Sequence, residues 1–301
     1  MFKIRALDPY IFHRAMFIML GIGLVFASPV LSSLSFEWQI ILLGGFVLVI
    51  GMPHGALDPL IARKYGASFS NFFQQAGFYT SYVAIAAMAI GLWYMLPWQM
   101  LIAFLVVSVI HFADDWRGEV PRWIQLLAAT SLITNPSYFF TDEVTKIFEF
   151  LTFGTPMGWF VDILYMLAFP VLVLLVTGLS LESFKGRKGM YAFIEILILH
   201  TLASAFQPLV YFILYFCGLH SIRHYIRTIS DLKKSGYDAD KIVFTIEWVF
   251  VLTVVLAALA YFFVDTLTFE EGVLQVVFIG LFALTLPHMF LLGYIYARHK
   301  K

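Results

Sequence analysis

Four histidines and their neighbours carry the chemistry this sequence could do. His54 stands in GMPHGALD, residues 51–58, His111 in SVIHFADDW, and His220 and His224 in CGLHSIRHY. Neutral imidazole is the commonest metal ligand among side chains. His220 and His224 are four apart, so on a helix both rings fall on one face and can hold one ion. The same spacing links His54 to Asp58 and His111 to Asp115. A metal-bound imidazole usually donates its other N–H to a carboxylate or carbonyl, which fixes the tautomer. Asp58, Asp114 and Asp115 are candidates for that task, and solvation at a membrane edge is the alternative account of them. By softness an all-imidazole set suits Fe, Zn, Cu or Ni. No HExxH is present, so the general base of a zinc peptidase is missing. GxSxG, Walker and CxxC patterns are missing too.

The elements that must position these residues are transmembrane helices. Of the 301 residues 61% are hydrophobic and 13% charged, against about half and a quarter in soluble domains. Mean hydropathy is +0.87. The fold expected is all-α, a polytopic membrane bundle of about ten spans forming a single domain over residues 1–301. The spans read as Ala15–Leu34, Trp38–Ala56, Phe73–Leu96, Trp98–Phe112, Trp123–Phe139, Met157–Leu179, Met190–Phe206, Leu209–Tyr225, Ile242–Val264 and Val273–Ala297. The first is long for a signal peptide and no A-x-A cleavage site follows, so a retained span is expected. Zero net charge implies no bulk attraction to nucleic acid. The lone Cys217 excludes an intramolecular disulfide and reads as a small core residue.

Charge fixes the expected orientation. With both termini in the cytoplasm, every Lys and Arg except Lys146 falls on the inner side. The outer loops carry Glu37, Asp142, Glu143, Glu149, Asp265, Glu270 and Glu271. Even-numbered spans then run inward, and His54, His111, His220 and His224 end three of them. One depth near the cytoplasmic face of the cell's inner membrane is thus predicted for all four. A single histidine at a helix end is explained by the interface or by a bond within the bundle. Four at one level point to a metal.

The remaining histidines divide differently. His288, in LPHMF, lies ten residues before Arg298, roughly 15 Å deeper than the inner end. It is expected to miss the ligand plane and to serve packing or substrate contact. His200 falls nearer the outer side, and His13 and His299 are terminal. Arg223 is expected to snorkel to the inner surface or to lipid phosphate. Glu195 and Glu247 lie inside spans and are expected either to support a ligating residue from behind or to join helices.

PHGALD, the HF-x-x-D of HFADD and the HSxRH of GLHSIRH resemble the signature of the Brp/Blh family of membrane-bound β-carotene 15,15′-dioxygenases. Order, separations and span pattern are similar over most of the chain, with Ala113 where glycine is expected after HF. The resemblance implies that His54, His111, His220 and His224 hold Fe2+. It implies cleavage of the central double bond of β-carotene by O2 into two retinal molecules, which would supply a rhodopsin in the same cell. A substrate about as long as the roughly 30 Å hydrocarbon core suits an enzyme that resides in membrane lipid. Of 32 Phe, 15 Tyr and 7 Trp, most are expected to fill helix interfaces. Phe112, Trp116, Tyr215, Phe216 and Tyr225, with His288, are the candidates for substrate contact.

Other classes make different demands. A di-iron membrane desaturase or hydroxylase needs about twice as many histidines, and only one HxxxH exists here. A haem-binding protein would use two of these imidazoles axially. A transporter would break helices at the midplane, for which Pro170 and Pro287 are the candidates. A retinal-binding opsin is excluded, because no span contains a lysine for a Schiff base.

Overall fold

The computed structural model describes residues 8–31, 34–65, 71–263 and 268–299; for Val30, Leu31, Pro53, His54, Phe263 and residues 294–299 it describes the backbone alone. Among the described residues the chain is helical throughout, with no strand. The helices are α1 (Pro9–Leu31), α2 (Phe36–Phe46), α3 (Asp58–Lys64), α4 (Phe72–Met95), α5 (Pro97–Phe112), α6 (Arg122–Phe139) and α7 (Thr141–Leu151). They continue as α8 (Gly158–Ser183), α9 (Arg187–Ala205), α10 (Pro208–Phe212), α11 (Ile222–Lys234), α12 (Ala239–Phe263) and α13 (Phe269–His299).

Over the described residues each predicted span coincides with a helix or a run of helical turns; Ser32 and Ser33 of the first predicted span and Val264 of the ninth lie outside them. Among the described residues six helices are long and apolar enough to cross a membrane: Pro9–Pro29, Phe72–Met95, Pro97–Trp116, Gly158–Ser183, Ala239–Phe262 and Phe269–Gly293. Phe36–Gly51 is apolar but shorter. The chain is therefore a polytopic helical membrane protein. Helix ends follow local chemistry. The Asn71 side chain accepts the Gln74 N–H at 2.9 Å to open α4, and prolines start α5 and α10, where no amide partner is lost.

One helix lies where the sequence suggested only an outer loop. α7 is amphipathic, burying Val144, Ile147, Phe148 and Leu151, one helical face, while its charges stay outside. It packs on α6, α8 and α13.

The helices that carry the histidines are irregular. α2 passes into a π-helix, Val47–Gly51, and then a 3-10 turn, Met52–Gly55. α5 ends in a 3-10 turn, Ala113–Trp116. α10 runs through a π-helix, Ile213–Ser221, straight into α11. Such departures alter the angle per residue, so spacing rules for a regular helix no longer say which side chains share a face. The two π-helices pack on each other. That approach needs Gly51: a Cβ there would lie 2.7 Å from Cε1 of Phe216. Between spanning helices such close contact, rather than water exclusion, provides the association energy.

Candidate metal centre

Three of the four predicted histidines are brought together. His111 ends α5, His220 lies in the second π-helix, and His224 is in the first turn of α11. The rings of His111 and His220 stand 4.8 Å apart, centre to centre, at 75°. Those of His220 and His224 are 6.5 Å apart and nearly parallel. His54 sits in the 3-10 turn, and its side chain lies outside the described residues.

A further ring joins this group. His288 of α13 is 5.3 Å from His111 and 5.2 Å from His224, centre to centre. The depth argument had placed it elsewhere because it counted from Arg298. α13 is 31 residues long, about 46 Å, well beyond the roughly 30 Å hydrocarbon core. Its charged end therefore does not mark the level of the other histidines.

The aspartates also make pairings across helices that the i,i+4 pattern did not predict, and the side chain of His54, the expected partner of Asp58, lies outside the described residues. His220 Nδ1 lies 3.1 Å from Oδ2 and 3.2 Å from Oδ1 of Asp115. His288 Nδ1 lies 2.8 Å and 3.0 Å from the oxygens of Asp58. The backbone between the predicted partners is not a regular helix: a 3-10 turn begins between His111 and Asp115, and Asp58 opens a new helix, α3. Both carboxylates are buried, 4% and 1% exposed. Each accepts a second bond from a tyrosine hydroxyl, Tyr215 to Asp115 at 2.8 Å and Tyr82 to Asp58 at 3.0 Å. A carboxylate only accepts, so Nδ1 of each ring is the donor and Nε2 of the neutral ring carries the lone pair. Asp114 instead pairs with Arg117 and Arg122, each at 2.7 Å, at the surface.

Behind Asp115 stands a buried ion network. Glu195 accepts from Arg14 Nε at 2.9 Å and from Arg223, with both Glu195 and Arg223 wholly buried. Arg14 also reaches Glu119 at 2.6 Å. Arg223 and Arg227 donate to the Asp115 carbonyl at 3.4 Å and 3.0 Å. Arg223 thus faces the protein interior, not the membrane surface, and Glu195 joins α9 to α1 and α11.

Aromatic rings enclose His220. Phe112 meets it edge-on at 4.8 Å and Phe216 stacks on it at 5.7 Å. Phe112 and Tyr215, 5.0 Å apart, share the wall of an apolar cavity of about 110 Å³ with Phe104, Leu132 and Phe278. A second apolar cavity, about 170 Å³, lies between α4, α12 and α13; Phe78, Tyr82, Leu252, Leu281 and His288 line it. A polar cavity of about 350 Å³ opens on His111, His220, His224, Asp115 and Arg227. Trp116 is wholly buried in the main core, and Tyr225 packs in a smaller cluster with Leu57, Leu60, Leu232 and Ile242.

The donor set fits a metal in chemistry. Two imidazoles on one ion, at about 2 Å per metal–nitrogen bond, have ring centres roughly 4.5–6.5 Å apart, the range found here. Among the described residues, from which the His54 side chain is missing, no three His, Cys, Asp or Glu side chains are arranged to hold an ion.

A family model described as beta-carotene 15,15′-dioxygenase matches residues 46–296, a stretch containing every one of these histidines. The chain belongs to that family. A beta-carotene 15,15′-dioxygenase of the uncultured marine bacterium 66A03 is 33% identical over 264 residues, 84% of this chain and 92% of that protein. No solved structure matches the chain. The family is one of oxidoreductases, and the likeness covers nearly the whole bundle.

Sequence reasoning assigned neither Tyr82 nor the cross-helix pairings. A signal for His288 was present: an ionisable side chain in the middle of an apolar span is a functional candidate by default.

Proposed function

We propose that this chain cleaves the central double bond of β-carotene with O2, giving two retinal molecules, at an Fe2+ ion held by His54, His111, His220 and His224. The observation that carries this reading is the meeting of imidazoles from separate helices, those of His111 and His220 buried, beside two apolar cavities, in a chain of this family. Ferrous iron would supply the activation of O2. The chain's own residues do the rest. Asp115 holds the His220 tautomer, Phe112 and Phe216 fix that ring's plane, and the two apolar cavities take the polyene carbons on either side of the cleaved bond. The polar cavity links the histidines to the aqueous side. By the distribution of positive charge that side is the cytoplasm, and the membrane the cell's inner membrane. Retinal leaving the site would serve a rhodopsin in the same cell.

The test is expression in cells that make β-carotene. Loss of orange colour with one product, retinal, is the expected result, while His220→Ala stays orange and still inserts. Metal analysis separates the rivals: one iron per chain fits this reading, and two would favour a di-iron hydroxylase. Normal cleavage by His220→Ala would end the ligand assignment.

A further inference from the structure

We infer that His288 is a fifth imidazole of the metal-binding set, positioned by Asp58 and Tyr82. This rests on the iron reading above and extends it to a residue outside the three motifs. The two histidines described away from the cluster show what a merely packed imidazole does here. His200 Nδ1 bonds the carbonyl of Ile196 and His13 Nε2 that of Gly218, each at 2.9 Å. A backbone carbonyl satisfies such a ring without bringing in a charge.

His288 is treated differently. Its Nδ1 is held by a carboxylate, and that carboxylate is 1% exposed. Burying a carboxylate is costly unless it is paired and hydrogen-bonded, so packing alone does not account for it. The arrangement repeats that of His220 group for group: imidazole Nδ1, buried aspartate, tyrosine hydroxyl. A carboxylate on the far nitrogen orients a ligating ring and raises its basicity. His288 also stands edge-on to two proposed ligands, at 5.3 Å from His111 and 5.2 Å from His224. Those separations match the one between His111 and His220 within about half an ångström. Asp58 and Tyr82 act through the ring and are positioning residues.

The experiment uses the full chain purified in detergent, stripped and titrated with Fe2+, and separately with Co2+, whose visible bands report the number and type of donors. Wild type comes first. If it takes up no Fe2+, the iron reading itself fails, and the inference with it. If it takes up one equivalent, His288→Ala is expected to weaken binding at least 10-fold and to change the Co2+ spectrum. Imidazole added to the solution should restore both, which repair of packing alone would not do. Asp58→Asn, which keeps the side chain's shape, is expected to weaken binding about 10–100-fold. His200→Ala should change neither reading. If His288→Ala binds Fe2+ as wild type does with the same Co2+ spectrum, His288 is not a ligand, whatever happens to turnover. Should His288→Ala fail to fold by circular dichroism, Asp58→Asn decides, and unchanged affinity there overturns the inference.

Discussion

The Asp115 arm and the Asp58 arm of the site share three residue types and differ in what stands behind them. In one, Tyr215, Asp115 and His220 back onto the buried network of Arg14, Glu119, Glu195 and Arg223. In the other, Tyr82, Asp58 and His288 border an apolar cavity between α4, α12 and α13. The chemistry applied to the imidazole is the same in both, since a carboxylate fixes the tautomer. What differs is what stands behind the carboxylate. Ion pairs between α1, α9 and α11 make the first arm part of the scaffold. Each arm also borders an apolar cavity, the kind of place a hydrocarbon substrate requires, so the ion pairs are the difference.

The largest expected effect tests that contrast from the scaffold side. Glu195→Ala leaves Arg223 buried without its carboxylate partner. Breaking a buried pair by removing one member costs about 3–5 kcal/mol, which should appear as a large drop in unfolding midpoint in detergent. A variant as stable as wild type would show that the network is not what separates the arms.

Next come the two carboxylates themselves. Asp115→Asn and Asp58→Asn should each weaken Fe2+ binding about 10–100-fold. Their stabilities should diverge. Asp115→Asn also removes a negative charge beside Arg223, so a loss of about 1–3 kcal/mol is expected, with less for Asp58→Asn. Equal losses of stability would erase the distinction.

How much of this was readable from the residues alone depends on which contacts are local. The helical bundle followed from hydropathy, because a membrane leaves the backbone no other solution. The meeting of His111, His220 and His224 followed from charge alternation, which sets the depth of a helix end without any knowledge of packing. Pairings across helices did not follow. The i,i+4 rule tied Asp115 to His111, but a 3-10 turn of 3.0 residues per turn begins between them. Depth counting displaced His288 because α13 outruns the bilayer. α7 was hidden by its own charges, although Val144, Ile147, Phe148 and Leu151 carry a helical period. The association of Arg223 with Glu195 rests on tertiary packing, for which a single sequence holds no signal.

A smaller effect sharpens the comparison at the π-helices. Gly51→Ala would set a methyl group 2.7 Å from the Phe216 ring, which stacks on His220. Overpacking of this kind costs about 1–3 kcal/mol. The strain should fall on the His220 arm, so unfolding midpoint and Fe2+ affinity decline together, while Asp58→Asn added to Gly51→Ala gives additive losses. Strong coupling between the two changes would mean that the arms are not independent.

The smallest expected effect concerns the cavities. Thr285 is one turn before His288 and lines the cavity between α4, α12 and α13, whereas Leu132 lines the one that holds Phe112 and Tyr215. Thr285→Leu and Leu132→Phe both add bulk to walls that donate nothing to a metal, so Fe2+ content should stay at the wild-type level. If each cavity takes the inner carbons of one half of the polyene, both variants should raise KM for β-carotene, by about 10-fold for a misfit of this size. A rod with identical halves cannot escape a narrowed cavity by turning round, because its centre must still reach the histidines. A rise in KM for one variant alone would mean that the substrate uses that cavity only. The other arm would then serve to orient its imidazole and nothing more.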